Sequence, residues 1–415
     1  MSNLQLIHNC RQLVTCHSDN GKPLTADQMS DLEIVENAAL VVEGETVLWV
    51  GEESRLPSTY AEASRVDAAG GVVTAGLVDP HTHPVFAATR EDEFYMRNAG
   101  KSYMEIAEAG GGIRNSARKT QKASKETLYR NGMRFLDYML KAGTTTAEAK
   151  SGYGLTTDSE IKSLEVIADL NRDHAIDLVP TFLGAHEFPD EYRENREAYV
   201  ELLITEMIPL VAKRKLAKYC DIFTEAGVFD IDQSRRIMQA ALDHGFQLKF
   251  HADELKSIGG AELAAELKAV SADHLVYISE AGITQMADAG TIAVFLPATT
   301  FFLGHKEYAP ARKMIDQGVP VSIATDFNPG SSCTTSLPAA MTVAAIYLHM
   351  NPAEILTAVT YNAACAIGLG ESIGTLEPDK QADFVIWDVT DYTQLPYLFA
   401  QNPVKTVYKR GRRVV

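Results

Sequence analysis

Cysteine is scarce in this 415-residue chain, acidic residues outnumber basic ones, and no long apolar run interrupts it. The five cysteines, Cys10, Cys16, Cys220, Cys333 and Cys365, are odd in number, and none forms a C-x-x-C pair. That argues against a disulfide framework and makes a reducing cytoplasm the expected setting. No stretch is long and apolar enough to span a bilayer. The polar opening MSNLQLIHNCRQLVTC lacks the apolar core of a secretory signal. Lys and Arg total 38 against 55 Asp and Glu, a formal charge of -17. Such a surface repels phosphate backbones and anionic lipid, so neither nucleic acid nor membrane is an expected partner. Gly110-Gly111-Gly112 is followed by no Gly-Lys-Ser/Thr, which excludes a phosphate loop; a mobile segment near a site is the expectation there. Short-period repeats and low-complexity tracts are also lacking.

What is present is an ordinary globular composition, 46% hydrophobic and 22% charged, enough for a large core. Apolar runs alternate with amphipathic helical patterns. The strand candidates are Val72–Asp79, Thr144–Lys150, Asp177–Leu183, Cys220–Thr224, Phe246–His251, Ala269–His274, Thr291–Phe295 and Val319–Asp326. Most are apolar on both faces, as strands of a buried parallel sheet are. Helix signals lie between them: Thr157 with Glu160 as a capping box, and Asp232 as the cap of a helix ended by Gly245. Eight such units predict an α/β fold, a (β/α)₈ barrel over residues 72–374. Residues 1–71 and 375–415 alternate differently, with the hairpin turn Glu43-Gly44-Glu45 and a second turn at Lys409-Arg410-Gly411-Arg412. They predict one small β-sandwich domain built from both termini.

The polar residues with chemistry in them fall at strand C-terminal ends, which converge on one mouth in a barrel. Asp79-Pro80-His81-Thr82-His83 closes an apolar run, and residues two apart on a strand share a face. His251 ends FQLKFH, His274 ends AVSADH and Asp326 ends VSIATD. His81, His83, His251, His274 and Asp326 are therefore the candidates for holding one ion. Such nitrogen and carboxylate donors suit zinc or iron and leave a position for water. Glu254, three residues past His251, is placed to move a proton beside that water.

H-T-H after a β-run, a histidine on each of the fifth and sixth strands and an aspartate on the eighth resemble the amidohydrolase superfamily over nearly the whole chain. That resemblance implies one metal held by His81, His83, His251 and Asp326, with His274 hydrogen-bonding the hydrolytic water. Two-metal relatives place a carbamylated lysine or a glutamate at the end of strand 4. Glu225 stands there and is expected to be structural, while Lys150 ends strand 2, the wrong strand for a carbamate. The segments PVFAATREDEF, AEAKSGYGL, FLGAHEFP and TDFNPGSS resemble a branch of that superfamily that opens an imidazolone ring. On that resemblance Arg90, Tyr103, Tyr153, His186, Glu254, Asn328, Gly330 and Ser331 are expected to contact substrate. Glu254, His274 and Asp326 are expected to carry the chemistry.

The implied reaction is hydrolysis of the ring amide C–N bond of 4-imidazolone-5-propanoate in histidine degradation. Arg90 is a sensible two-point anchor for the propionate, against the alternative of a surface ion pair with Glu91 or Glu93. The glycines after Asp326 are expected to let backbone approach the ligand. His-x-x-Glu also occurs in nucleobase deaminases, so an aminohydrolase that expels ammonia is the alternative. Cys333 is expected to be indifferent. A symmetric homodimer is the default expectation for assembly.

Overall fold

The computed structural model describes residues 4–16, 21–101, 105–106 and 110–415. Strand β1 (Leu4–Val14) pairs antiparallel with β2 (Ile34–Glu43), which turns through Gly44 into β3 (Thr46–Glu52). β4 (Ser64–Asp67) and β5 (Val72–Ala75) then run parallel to β1. The run Val72–Asp79, expected as one barrel strand, is therefore two. The chain leaves the terminal sheet at Gly76, where a Cβ would lie 2.2 Å from Thr145 Oγ1. Only glycine lets the crossing pack that closely.

Eight parallel strands follow, each paired with the next. They are β6 (Leu77–Asp79), β7 (Thr144–Lys150), β8 (Asp177–Ala185), β9 (Tyr219–Thr224), β10 (Gln247–Ala252), β11 (Ser271–His274), β12 (Ile292–Phe295) and β13 (Val321–Ile323). β13 is shorter than the expected Val319–Asp326. Beyond it the backbone bonds across to the segment after β6: Asp326 N–H donates to His81 O at 3.1 Å and His83 N–H to Phe327 O at 2.8 Å. A Thr82–Phe327 bridge completes this contact, bringing the ends of the first and last strands together as a nearly closed barrel. β14 (Phe384–Trp387), β15 (Val404–Lys409) and β16 (Arg412–Arg413) return to the terminal sheet, with β14 beside β5. That sheet is continuous and has eight strands. Ile7, Leu40, Val73, Phe384 and Tyr408 pack together on it, so strands from both termini enclose one apolar core.

The helices cover the barrel and brace its loops, through caps other than those expected. Asp230 and Gln233 form the capping box of helix 231–243, so Asp232 is not the cap. Thr156 caps helix 157–173. Glu160 instead turns its carboxylate onto the N–H groups of Gly152, Gly154 and Leu155 at 3.0, 2.7 and 2.8 Å, and so fixes the loop that carries Tyr153.

Candidate metal centre and active-site pocket

Strand alternation fills the barrel interior with charge. Lys249 and His251 of β10 pair in register with Asp221 and Phe223 of β9, and with Ser271 and Asp273 of β11. Register partners share a face. Glu148 and Lys150 of β7 meet them there, and Glu148, Lys150, Asp221, Lys249 and Asp273 are all fully buried. His274 follows Asp273 and by parity belongs outside. Its backbone turns left-handed, at φ 74 and then 59 at Leu275, and the imidazole joins the cluster instead. Asp326 does the same beyond β13, at φ 51. Left-handed non-glycine residues at strand ends are strained positions that cluster at functional sites.

Three of the expected ligands, His81, His83 and Asp326, come together in one set, and His251 joins His81 in another. His81 Nε2 lies 3.3 Å from His83 Nε2, and Asp326 Oδ1 lies 3.4 and 3.5 Å from these two nitrogens. His81, His251 and His274 form a second close set of donors. Donors about 2.0–2.2 Å from a common tetrahedral ion stand about 3.4 Å apart. The ring nitrogens are oriented for this. His81 Nδ1 is 2.5 Å from Asp273 Oδ2, and His251 Nδ1 is 3.1 Å from Asp221 Oδ2. Each carboxylate accepts from Nδ1 and turns Nε2 toward the cluster. His251 Nε2 is buried with no hydrogen-bond partner among the described residues, a cost that a bound ion removes. The donor set thus fits a metal ion.

Electrostatics agree. Burial pushes His83 down to about 4, lowers His251 and puts His186 and His274 well below the ordinary imidazole range. These rings are neutral at neutral pH, as ligands are. Burial also disfavours a charged His81, but the Asp273 and Asp326 carboxylates overcome it and raise the ring to about 9. A proton there answers the same negative charge that a cation would. Asp326 is held well below the usual carboxylate range: burial opposes ionisation, and the contacts with His81 and His83 outweigh it. Its Oδ2 accepts from Thr299 Oγ1 at 2.7 Å, so one oxygen is anchored and the other faces the cluster. Burial pushes Glu254 up to about 8, with the charges of Asp326 and Glu225 adding. Its Oε1 is 3.6 Å from His274 Nδ1.

A pocket of about 360 Å³ opens over this cluster. Arg90, Tyr153, His186, Glu254, Asn328, Gly330 and Ser331 all line it. Tyr103 lies outside the described residues. Arg90 is no surface residue: its side chain is 7% exposed, and Nε and Nη1 have no hydrogen-bond partner among the described residues. Glu93 Oε2 forms a buried ion pair with Nε at 3.7 Å, without a hydrogen bond. A Cβ on Gly330 would sit 1.3 Å from Arg90 Nη2, so this glycine makes room for the guanidinium. Asn328 spends its amide inside its own loop, accepting from the N–H groups of Gly330 and Ser331 at 2.8 Å and donating to Asp326 O at 2.7 Å. His186 Nδ1 donates to Gly152 O at 2.9 Å, which leaves Nε2 as an acceptor.

Glu225 accepts from Leu255 N–H at 2.8 Å and steadies the loop beside Glu254. Cys333 is exposed and takes no part in the cluster. Asp221, Asp273 and Thr299 were not singled out from sequence. For the first two a signal existed: each is a lone carboxylate inside an otherwise uncharged strand run. Thr299 carried none.

Residues 72–414 match the family model described as "Amidohydrolase family". A curated relative, "Imidazolonepropionase" of Geobacillus kaustophilus (strain HTA426), is 49% identical over 413 residues, covering 99% of this chain and 97% of its own length. Among solved structures, "E. coli Guanine Deaminase" superposes with a TM-score of 0.73 at 16% identity, covering 99% of both chains. An adenosine deaminase from Xanthomonas campestris "with bound zn" gives 0.72 at 19%, covering 99% of this chain and 92% of its own. At these identities the likeness to deaminases is one of fold.

Proposed function

The chain belongs to the amidohydrolase family, and on that premise we propose that its pocket hydrolyses the ring amide C–N bond of 4-imidazolone-5-propanoate. The product is N-formimidoyl-L-glutamate, a step of histidine degradation. The observation that carries this reading is full-length likeness at 49% identity to a protein of that activity. The pocket supports it, with a buried guanidinium facing the same space as the imidazole–carboxylate cluster. No helix among the described residues is long and apolar enough to cross a membrane, and all five cysteines are free, as a reducing cytoplasm would keep them.

His81, His83, His251 and Asp326 hold the ion, which we take to be zinc or iron from the donor types. When bound, it supplies polarisation of the ring carbonyl and an acidified water. The chain's own residues do the rest. Arg90 grips the propionate through its free N–H groups. His186 Nε2 accepts from a ring N–H, while Tyr153, Ser331 and, from outside the described residues, Tyr103 complete the contacts. Asn328 acts by shaping the loop after Asp326, and Gly330 by admitting Arg90. Asp326 Oδ1 takes the proton of the attacking water, and His274 orients that water. Glu254, protonated at neutral pH, delivers a proton to the ring nitrogen as the carbonyl C–N bond breaks.

The test is turnover of 4-imidazolone-5-propanoate by the purified protein, with metal content measured on the same sample. Metal-loaded protein that leaves this substrate intact, or that releases ammonia from a nucleobase panel instead, refutes the assignment. Arg90→Met is expected to lower kcat/KM about 10²-fold, mainly through KM, the scale of charge-assisted hydrogen bonds lost to a carboxylate. An unchanged KM removes Arg90 from the anchor.

A further inference from the structure

Lys150 Nζ sits in the barrel floor, fully buried, 2.6 Å from Asp221 Oδ2, 2.9 Å from Glu148 Oε2 and 3.6 Å from Asp273 Oδ2. Asp221 and Asp273 are the two carboxylates that hold Nδ1 of His251 and His81. One ammonium therefore joins two carboxylate–imidazole arms whose carboxylates stand on β9 and β11, either side of β10, and whose imidazoles meet in the same cluster. Lys249 does not share this position. Its Nζ is committed to Glu148 Oε2 at 2.8 Å and Pro80 O at 2.9 Å. A carbamate on Lys150 would place a negative group among three carboxylates, so the residue acts as an ammonium.

We propose that Lys150 is a positioning residue for the metal centre: it ties Asp221 to Asp273 and through them presents Nε2 of His251 and His81 to the ion. Simple charge balance is the competing account, and the composition of the floor allows the two to be separated. Glu148, Asp221 and Asp273 face Lys150 and Lys249, leaving one net negative charge. Lys150→Met together with Glu148→Gln keeps that net charge and removes the tie, while Lys249 keeps its bond to Pro80 O at 2.9 Å. The inference rests on the metal-site reading above, and the test distinguishes the two failures.

Apoprotein of wild type, Lys150→Met, the charge-conserving double variant and Asp273→Asn is titrated with zinc against a chromophoric chelator. The temperature is kept well below each melting midpoint, and the visible spectrum of the cobalt(II) forms is recorded. All three variants are expected to bind zinc 10–100-fold more weakly than wild type, the scale of losing an outer hydrogen-bond partner of a ligand. Their cobalt spectra are expected to shift. Wild-type affinity and spectrum in the double variant overturn the proposal, even if Lys150→Met alone fails to fold. Wild-type protein that binds no metal overturns the metal reading instead.

Discussion

Asp326→Asn is expected to remove nearly all turnover, by about 10⁴-fold or more in kcat/KM, while leaving a folded protein. Two losses combine. An amide cannot take the proton of the attacking water, and general-base contributions run to about 10²–10⁴-fold. With the amide oxygen kept on Thr299, an NH₂ group that cannot ligate a metal also replaces Oδ1 beside His81 and His83, whose Nε2 atoms lie 3.4 and 3.5 Å from Oδ1. Asparagine suits the position because the backbone there is left-handed, φ 51, where Asn is readily accommodated and Ala is strained. Thr299 Oγ1, 2.7 Å from Oδ2, can still bond the amide oxygen. Metal content by elemental analysis, melting temperature and steady-state kinetics on one preparation decide the matter. A variant that keeps full activity removes Asp326 from the chemistry altogether.

The cluster was legible because strand alternation and strand ends are sequence-level facts. His81 and His83 are two apart, and His251 closes an apolar run, so their convergence followed from the barrel itself. His274 shows where that logic stops. Parity alone puts it on the face opposite Asp273, and only the left-handed turn at its own Cα brings it inside. Glu160 is a second instance. A glutamate three residues into a helix reads as a capping partner, yet its carboxylate is drawn to three loop N–H groups that a sequence pattern does not place. Gly76 hid a change of sheet within one apolar run, because both β5 and β6 are buried on both faces. Lys150 was weighed against a family pattern for strand 4 and set aside, whereas the contacts of its Nζ with Asp221 and Asp273 are a tertiary fact. Local pattern found the donors, and contacts between strands defined how each is held.

Glu254→Gln is expected to lower kcat by about 10²–10⁴-fold with little change in KM or metal content, the range of a lost general acid. Burial first, then the charges of Asp326 and Glu225, raise Glu254 to about 8 in the metal-free pocket. A group raised in this way is protonated below that value and loses its proton as pH climbs through it. The proton donor is therefore present at neutral pH, and the rate falls on the alkaline side. A bound cation favours the carboxylate, so in the loaded enzyme this limb lies below 8. Glutamine has no proton to give, and its profile should lack the limb while keeping any acid limb due to the histidine ligands. The neighbouring His274, 3.6 Å away, cannot substitute, because burial holds it neutral well below the pH of assay. Full turnover by Glu254→Gln, or an alkaline limb that survives the substitution, assigns the proton delivered to the ring nitrogen to another group.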